Sequence, residues 1–286
     1  MPELPEVEVV KRSLKKNILN LIVKKVIIND KKLRYRILEK EFNKIYNKKI
    51  LSIKRIAKYL LINIENNMTI LVHLGMTGKF FIETNKKKQK TSFYYELDYN
   101  NKHNHIIFYL SKKIKLIYND VRKFGFLKVI KSNNIRLNSH LALLGPEPFS
   151  KKFNYNYFKR NINKKNKKIK DLLMDQKFVS GLGNIYVNEI LHASKINPKR
   201  QIYKLQDNEI TNIMFFTKKI LKKSILDGGS SIKNFNNTEG KAGIFQQKFN
   251  VYGKEGEKCK KSSCHSSIVK IVISNRSTFY CKTCQK

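Results

Sequence analysis

Between residues 21 and 130 apolar residues come in short bursts: LIVKKVII, ILSIKRI, YLLINIE, TILVHLG, KFFIET, HIIFYL, IKLIY and FLKVI. The bursts are rich in β-branched and aromatic residues, and every second position can be apolar, as at Leu60, Ile62 and Ile64. Such alternation predicts half-buried strands, and a succession of them predicts a sandwich or barrel. The polar stretch NKKKQK at 85–90 reads as a solvated loop. Ahead of the strands, Val7, Val10 and Leu14 recur at helical spacing. Pro5 suits the first helical position there, and Glu6 suits the positive end of the helix.

The texture changes at LGPEPF, residues 144–149, which holds two of the five prolines. Past it, IKDLLMDQKF and NIYVNEILHAS read as helices separated by the glycine-bearing SGLGN. A longer amphipathic helix follows, with Ile210, Ile213, Met214, Thr217, Ile220, Leu221 and Ile225 on one core-facing side and Gly228 and Gly229 ending it. The tail reads as strand, turn at Asn275 and Arg276, and strand. The expected organisation is multidomain α+β: a β-rich N-terminal domain with its helix over 1–132, a linker at 133–150, a helical domain at 151–245 and a small tail domain at 246–286.

A chain of 286 residues with 41% hydrophobic content can bury a sizeable core. No apolar run approaches the roughly 20 residues that span a bilayer, and no leader is evident, so a soluble, cytoplasmic protein is expected. Lys+Arg number 60 against 21 Asp+Glu, a formal charge of +39, which favours polyanions: nucleic acid first, an anionic membrane second. Part of that excess is coding bias, because NKKNKKIKD and VKKVIINDKK are what A/T-rich codons produce. All four cysteines fall in the last 28 residues, as CKKSSC and CKTC. That clustering argues for a local metal site formed by Cys259, Cys264, Cys281 and Cys284, and four thiolates complete a tetrahedral structural zinc with no open position. His265, beside Cys264, stays outside that shell.

PELPEVE, AKYL, HLGMTG, RKFG, LGPEPF, GLGNIYVNE and the cysteine ribbon occur in one order along essentially the whole chain. Together they resemble the bacterial formamidopyrimidine-DNA glycosylases. The resemblance implies a β-sandwich domain, a helix, two-turn, helix DNA-binding domain and a C-terminal zinc ribbon, acting as a monomer on damaged double-stranded DNA. It implies removal of oxidised purines such as 8-oxoguanine and formamidopyrimidines through an N-terminal proline Schiff base, followed by β,δ-elimination.

The same resemblance implies roles for individual residues. Pro2, freed when Met1 is removed, becomes the nucleophile, and Glu3 the general acid that opens the sugar ring. Glu6, by contrast, reads as structural support from helix capping and charge complementarity at the helix start. Lys58 becomes the proton donor linked to β-elimination, although by alternation alone it reads as a solvent-facing strand lysine. Arg276, at the ribbon tip, becomes the δ-elimination arginine, with phosphate binding its physically firmer role because guanidinium holds its proton. Met76, Arg122 and Phe124 match the intercalating trio that fills the hole left by an everted base. His103, Arg122, Lys165, Lys170 and Asn184 match DNA contacts, Asn184 at a helix start that offers backbone N–H groups to phosphate. NTEGKAGIFQQ, 237–247, resembles the loop that closes over an everted purine. His105 has no role.

Three positions depart from the family pattern. Val121 stands for the usual proline and Lys123 for an arginine beside the wedge, and CKKSSC has four residues between cysteines where two are usual. The alternatives are an endonuclease VIII-like glycosylase for oxidised pyrimidines, disfavoured by PELPEV and RKFG, and a noncatalytic zinc-ribbon DNA-binding protein, disfavoured by the joint presence of Pro2, Glu3, Lys58 and Arg276.

Overall fold

The computed structural model describes residues 2–84, 88–90, 100–163, 166–229 and 248–286. Lys165 and the 237–247 segment lie outside the described residues. The fold divides into two compact units, one formed by Met1–Ala142 with Ile225–Gln246, the other by Leu143–Ser224 with Gln247–Lys286.

The first unit starts with helix α1 (Leu4–Ile18), then strand β1 (Ile22–Ile28), a short helix α2 (Glu39–Asn43), and strands β2 (Lys48–Ile56), β3 (Tyr59–Ile64), β4 (Met68–His73), β5 (Lys79–Glu83), β6 (Lys88–Lys90), β7 (Asn104–Leu110), β8 (Ile114–Asn119) and β9 (Phe126–Lys131). All pair antiparallel in the order β6-β5-β8-β7-β1-β2-β3-β4-β9. The middle junction is slender: β1 meets β2 only at Ile22↔Lys49 and Val23↔Lys48. The two halves on either side share one core, with Val26, Phe80, Phe108 and Leu116 from one half, Ile53, Ile62, Val72 and Val129 from the other, and Val7, Val10, Leu14 and Ile18 of α1 in the same cluster. Of the sandwich or barrel that the alternation predicted, this is the sandwich. β3 departs from strict half-burial because Leu61 is buried as well as Leu60, Ile62 and Ile64. The β3–β4 turn uses Asn66 and Asn67 at φ 60° and 56°, a left-handed conformation that asparagine tolerates. The stretch expected as a loop at 85–90 instead contributes β6, whose Lys88 and Lys90 pair with Glu83 and Phe81. A polar sequence can still extend an edge, since backbone groups make the ladder.

The second unit contains α3 (Tyr155–Ile162), α4 (Ile169–Met174), α5 (Asn184–Ala193), most of α6 (Asp207–Leu226) and the hairpin β10 (Ile268–Ile273) with β11 (Arg276–Cys281). α4 stops at Met174 rather than running through DQKF, because Asp175 leaves the helix to receive Lys177 N–H. Along α6, Ile210, Ile213, Thr217 and Leu221 are buried as the stripe required, and Gly228 and Gly229 follow its end at φ 83° and 91°. The hairpin turn is Ser274 and Asn275, at φ 48° and 58°, one residue earlier than expected. Arg276 therefore begins β11, opposite Ile273. Among the described residues, no helix is long and apolar enough to cross a membrane.

Candidate active site and nucleic-acid interface

Glu3 is the N-cap of α1 and Glu6 the third helical residue, so the pair forms a capping box. Glu6 Oε2 accepts the Glu3 backbone N–H at 2.8 Å. Pro5 sits one residue inside the first helical position. Pro2, Glu3 and Glu6 are all buried, Glu3 and Glu6 each to 2% exposure. Gly229 packs beside Glu6; a Cβ there would lie 3.4 Å from Glu6 Cγ and Oε1. The terminus is thus held by the start of α1, with Glu6 engaged in fixing the backbone.

Lys58 is not a mid-strand lysine. Ile56 pairs directly with Tyr59, so Ala57 and Lys58 form a two-residue hairpin turn, with Ala57 at φ 52°. Lys58 is only 6% exposed. The turn is tied to α1 through Arg55, whose Nη1 donates to Ala57 O at 2.9 Å and whose Nε donates to Glu8 Oε2 at 3.0 Å. Burial acts to raise the Glu8 pKa, but hydrogen bonds from Lys11 and Arg55 outweigh it and hold the carboxylate below its ordinary range. The helix that presents Pro2 and Glu3 and the turn that presents Lys58 are therefore locked together by one buried ion pair.

His73, at the end of β4, feels the Lys58 charge as well. Burial pushes its pKa down to about 4, aided by the charges of Lys58, Arg34 and His140. Its Nδ1 accepts the Gly75 N–H at 3.1 Å, and its ring stacks on Phe126 at 5.8 Å. Gly75 begins the turn that carries Met76. A Cβ on Gly75, at φ 63°, would lie 2.4 Å from Gly125 N and from Phe124 C, so the turns bearing Met76 and Phe124 interlock only because this residue is glycine.

Asp120 organises that junction. Its carboxylate accepts from the Thr77 hydroxyl and from Gly125 N at 2.8 Å, while Thr77 Oγ1 receives Arg122 N–H at 3.0 Å. Its backbone N–H donates to His103 O at 3.1 Å, and its carbonyl bonds His105 Nε2 at 2.8 Å. Met76 and Phe124 remain exposed, at 37% and 45%, and the Arg122 guanidinium lies 4.6 Å over the Phe124 ring. Two large apolar side chains and a flat cation thus project from a braced double turn. Lys123 ion-pairs with Asp30 on the neighbouring segment, which gives the departure from arginine a partner of its own. Val121 is exposed, at 48%.

In the second unit two more predicted residues converge on one carbonyl, beside a third. Lys170 Nζ donates to Ser277 O at 3.2 Å and to Thr278 Oγ1 at 2.6 Å, and Asn184 Nδ2 donates to Ser277 O at 2.9 Å. Arg276 is the exposed neighbour of Ser277. Burial lowers the Lys170 pKa to about 8; Asp171 opposes this and Arg276 adds to it. Asn184 opens α5 after Gly183, and the preceding turn is braced by Gln176, which accepts Gly181 N–H at 2.9 Å and donates to Leu182 O at 2.8 Å.

Below the hairpin, the Sγ atoms of Cys259, Cys264, Cys281 and Cys284 lie within 4.8 Å of one another, with Cys259–Cys284 at 3.8 Å and Cys264–Cys281 at 3.6 Å. A tetrahedron of Zn–S bonds of about 2.3 Å has edges of about 3.8 Å, so the donor set fits one structural zinc ion. His265 is exposed and outside the cluster. The four-residue gap in CKKSSC is accommodated without displacing either cysteine from the group.

Three family descriptions tile the chain: Formamidopyrimidine-DNA glycosylase N-terminal domain over residues 1–127, Formamidopyrimidine-DNA glycosylase H2TH domain over 144–236, and the zinc finger found in FPG and IleRS over 256–286. Formamidopyrimidine-DNA glycosylase of Rickettsia bellii is 41% identical over 286 residues, covering all of both chains. The chain belongs to this glycosylase family. The Rickettsia massiliae family member is 42% identical, over all of this chain and 97% of its own. Among solved structures, a Lactococcus lactis FPG variant in complex with Fapy-dG-containing DNA superposes with a TM-score of 0.88 at 34% identity over the full length of both chains. Wild-type L. lactis Fpg with DNA containing an oxidised pyrimidine gives 0.86 at the same identity and coverage.

Several residues of this glycosylase fold that bear on the site escape a sequence reading. Arg55, Glu8 and Asp120 look like ordinary charges, because what distinguishes them is long-range pairing. His73 had a signal, as the polar end of the apolar strand TILVH. His105, left without a role, turns out to be buried to 2% exposure and bonded to Asp120 O, at the base of the turn that carries Arg122 and Phe124.

Proposed function

We propose that this chain excises oxidised purines from duplex DNA and then nicks the strand, as a bifunctional N-glycosylase and abasic-site lyase. With Met1 removed, the Pro2 nitrogen attacks the deoxyribose C1′ as the bond from C1′ to the damaged base breaks and the base leaves with a proton. Glu3 delivers a proton to the ring oxygen, the C1′–O4′ bond opens, and the nitrogen lone pair forms a cationic iminium. The iminium acidifies the C2′ protons, so the C3′–O bond and then the C5′–O bond can be lost by elimination, and water finally releases Pro2. Lys58 serves proton transfer and holds a phosphate beside the sugar. Met76, Arg122 and Phe124 enter the duplex at the vacated base, and His103, Arg122, Lys165, Lys170, Asn184 and Arg276 contact the backbone, supplying affinity without sequence preference. The zinc ribbon, within 246–286, is structural, the helical segment at 151–245 binds DNA, and a monomer at the nucleoid in the cytoplasm suffices for the reaction.

The observation that carries this reading is the terminus itself: Pro2 and a buried Glu3 locked onto α1 by the capping box and tied through Glu8 and Arg55 to the Lys58 turn. Oxidised pyrimidines are a second substrate class, favoured by the L. lactis relative solved with such DNA. Borohydride trapping on a duplex with 8-oxoguanine opposite cytosine tests both. A covalent adduct that needs the lesion and is lost in Pro2→Gly is expected. Adducts on a pyrimidine lesion alone would reverse the substrate order, and none on either, despite tight binding, would leave a noncatalytic DNA-binding protein.

A further inference from the structure

One polar face of α5 is turned to the ribbon. Asn184 donates to Ser277 O, Asn188 Oδ1 accepts the Phe279 N–H at 2.7 Å, and the Glu189 carboxylate accepts the N–H groups of Asn250, Val251 and Tyr252 at 2.9 Å each for its best contacts. His192 continues this face, four residues after Asn188, and is 4% exposed. Its Nε2 lies 3.8 Å from Cys259 Sγ.

The contact is to a sulfur that already belongs to a complete four-thiol set, and a fifth ligand has no place in a tetrahedral closed site. A thiolate can only accept, so the contact requires the proton on Nε2 and the imidazole as donor. Backbone N–H groups brace both knuckles, Cys284 N–H directed at Cys281 Sγ at 3.5 Å across the short CKTC and the Lys261 and Ser266 backbones at Cys259 and Cys264 in the long one. Cys259 opens the long knuckle, CKKSSC, and the side chain that reaches its sulfur comes from a helix 67 residues away in sequence.

We propose that His192 is an outer-shell positioning residue for the zinc site, donating an N–H···S hydrogen bond to the Cys259 thiolate and fastening the long knuckle to α5. The inference rests on the four cysteines holding zinc. Outer-shell partners orient ligands and slow their departure, and losing one commonly costs about tenfold or more in metal affinity.

The test uses the full-length protein with zinc and, in parallel, with cobalt. In His192→Phe, release of zinc to a chelator should be about tenfold faster than in the native protein. The sulfur-to-cobalt charge-transfer band should move to lower energy, because a thiolate that loses a hydrogen bond is a better electron donor. His192→Gln, whose amide can donate, should recover part of both. Equal release rates and an unmoved band in His192→Phe would overturn the proposal, as would a native cobalt spectrum of three thiolates and one imidazole, which would make His192 a ligand. Absence of bound zinc in the native protein would overturn the metal reading and this inference together, a result distinct from either.

Discussion

His73 shows how much one side chain can register from its surroundings. Its neutral form is favoured by burial and by Lys58, Arg34 and His140 around it. A histidine whose folded pKa lies near 4 and whose unfolded value is 6.5 costs nothing above pH 6.5, where both states are neutral. As the pH falls from 6.5 towards 4, the unfolded chain takes up a proton that the folded one refuses, so stability drops, levelling below about pH 4. Between pH 7 and pH 5 this amounts to about 2 kcal/mol. Denaturant titrations at the two pH values should find the native protein losing that much more than His73→Gln; equal losses would mean that the imidazole is not the group responsible. The same residue anchors Gly75, so the variant should also loosen the Met76 turn.

At the scale of elements, the sandwich and α6 were legible because burial imposes a period, two in strands and 3.6 in helices, that hydrophobic residues must obey. The Lys58 turn was not. RIAKYLLI carries strand-forming apolar residues on both sides of it, and a two-residue hairpin leaves no glycine when alanine itself takes the left-handed conformation at Ala57. β6 was missed because edge pairing needs only backbone. The cysteine site was legible from spacing alone, whereas its support by α5 was not, since Glu189 and His192 act across more than fifty residues of sequence. The junction of α4, α5 and β11 makes its own prediction. Lys170 has a pKa near 8, is 1% exposed and is bonded to Ser277 O and Thr278 Oγ1; if it is the phosphate contact proposed above, it must be charged to attract the anion, and a bound phosphate will favour that charge. DNA affinity should therefore weaken as pH rises from 7 to 9, more than in Lys170→Arg, as followed by fluorescence anisotropy at fixed salt. Identical pH profiles for the two proteins would exclude Lys170 as the titrating contact.

For the whole molecule, the charge of +39 is only partly informative, because surface lysines accumulate without selection for binding. The useful distinction is between charges that meet phosphate and charges that merely surround it. The logarithm of the DNA association constant should fall steeply and linearly with the logarithm of salt concentration, equally for damaged and undamaged duplexes. Replacing Arg276 by methionine should reduce the slope by about one, while replacing Lys254, which pairs with Glu257, should leave it unchanged. A slope unaffected by Arg276→Met would remove that side chain from the interface.

The chain has 14 tyrosines and no tryptophan. Phe124 stands half exposed at the tip of a turn braced from behind by Asp120 and Gly125, so its position can accept a larger ring on the solvent side without disturbing the core. An indole placed there would be the sole emitter at the red edge of protein fluorescence. On the proposed reading, entry of this side chain into DNA could then be watched in real time against a dark background, so that one position would both probe the helix and report the probing.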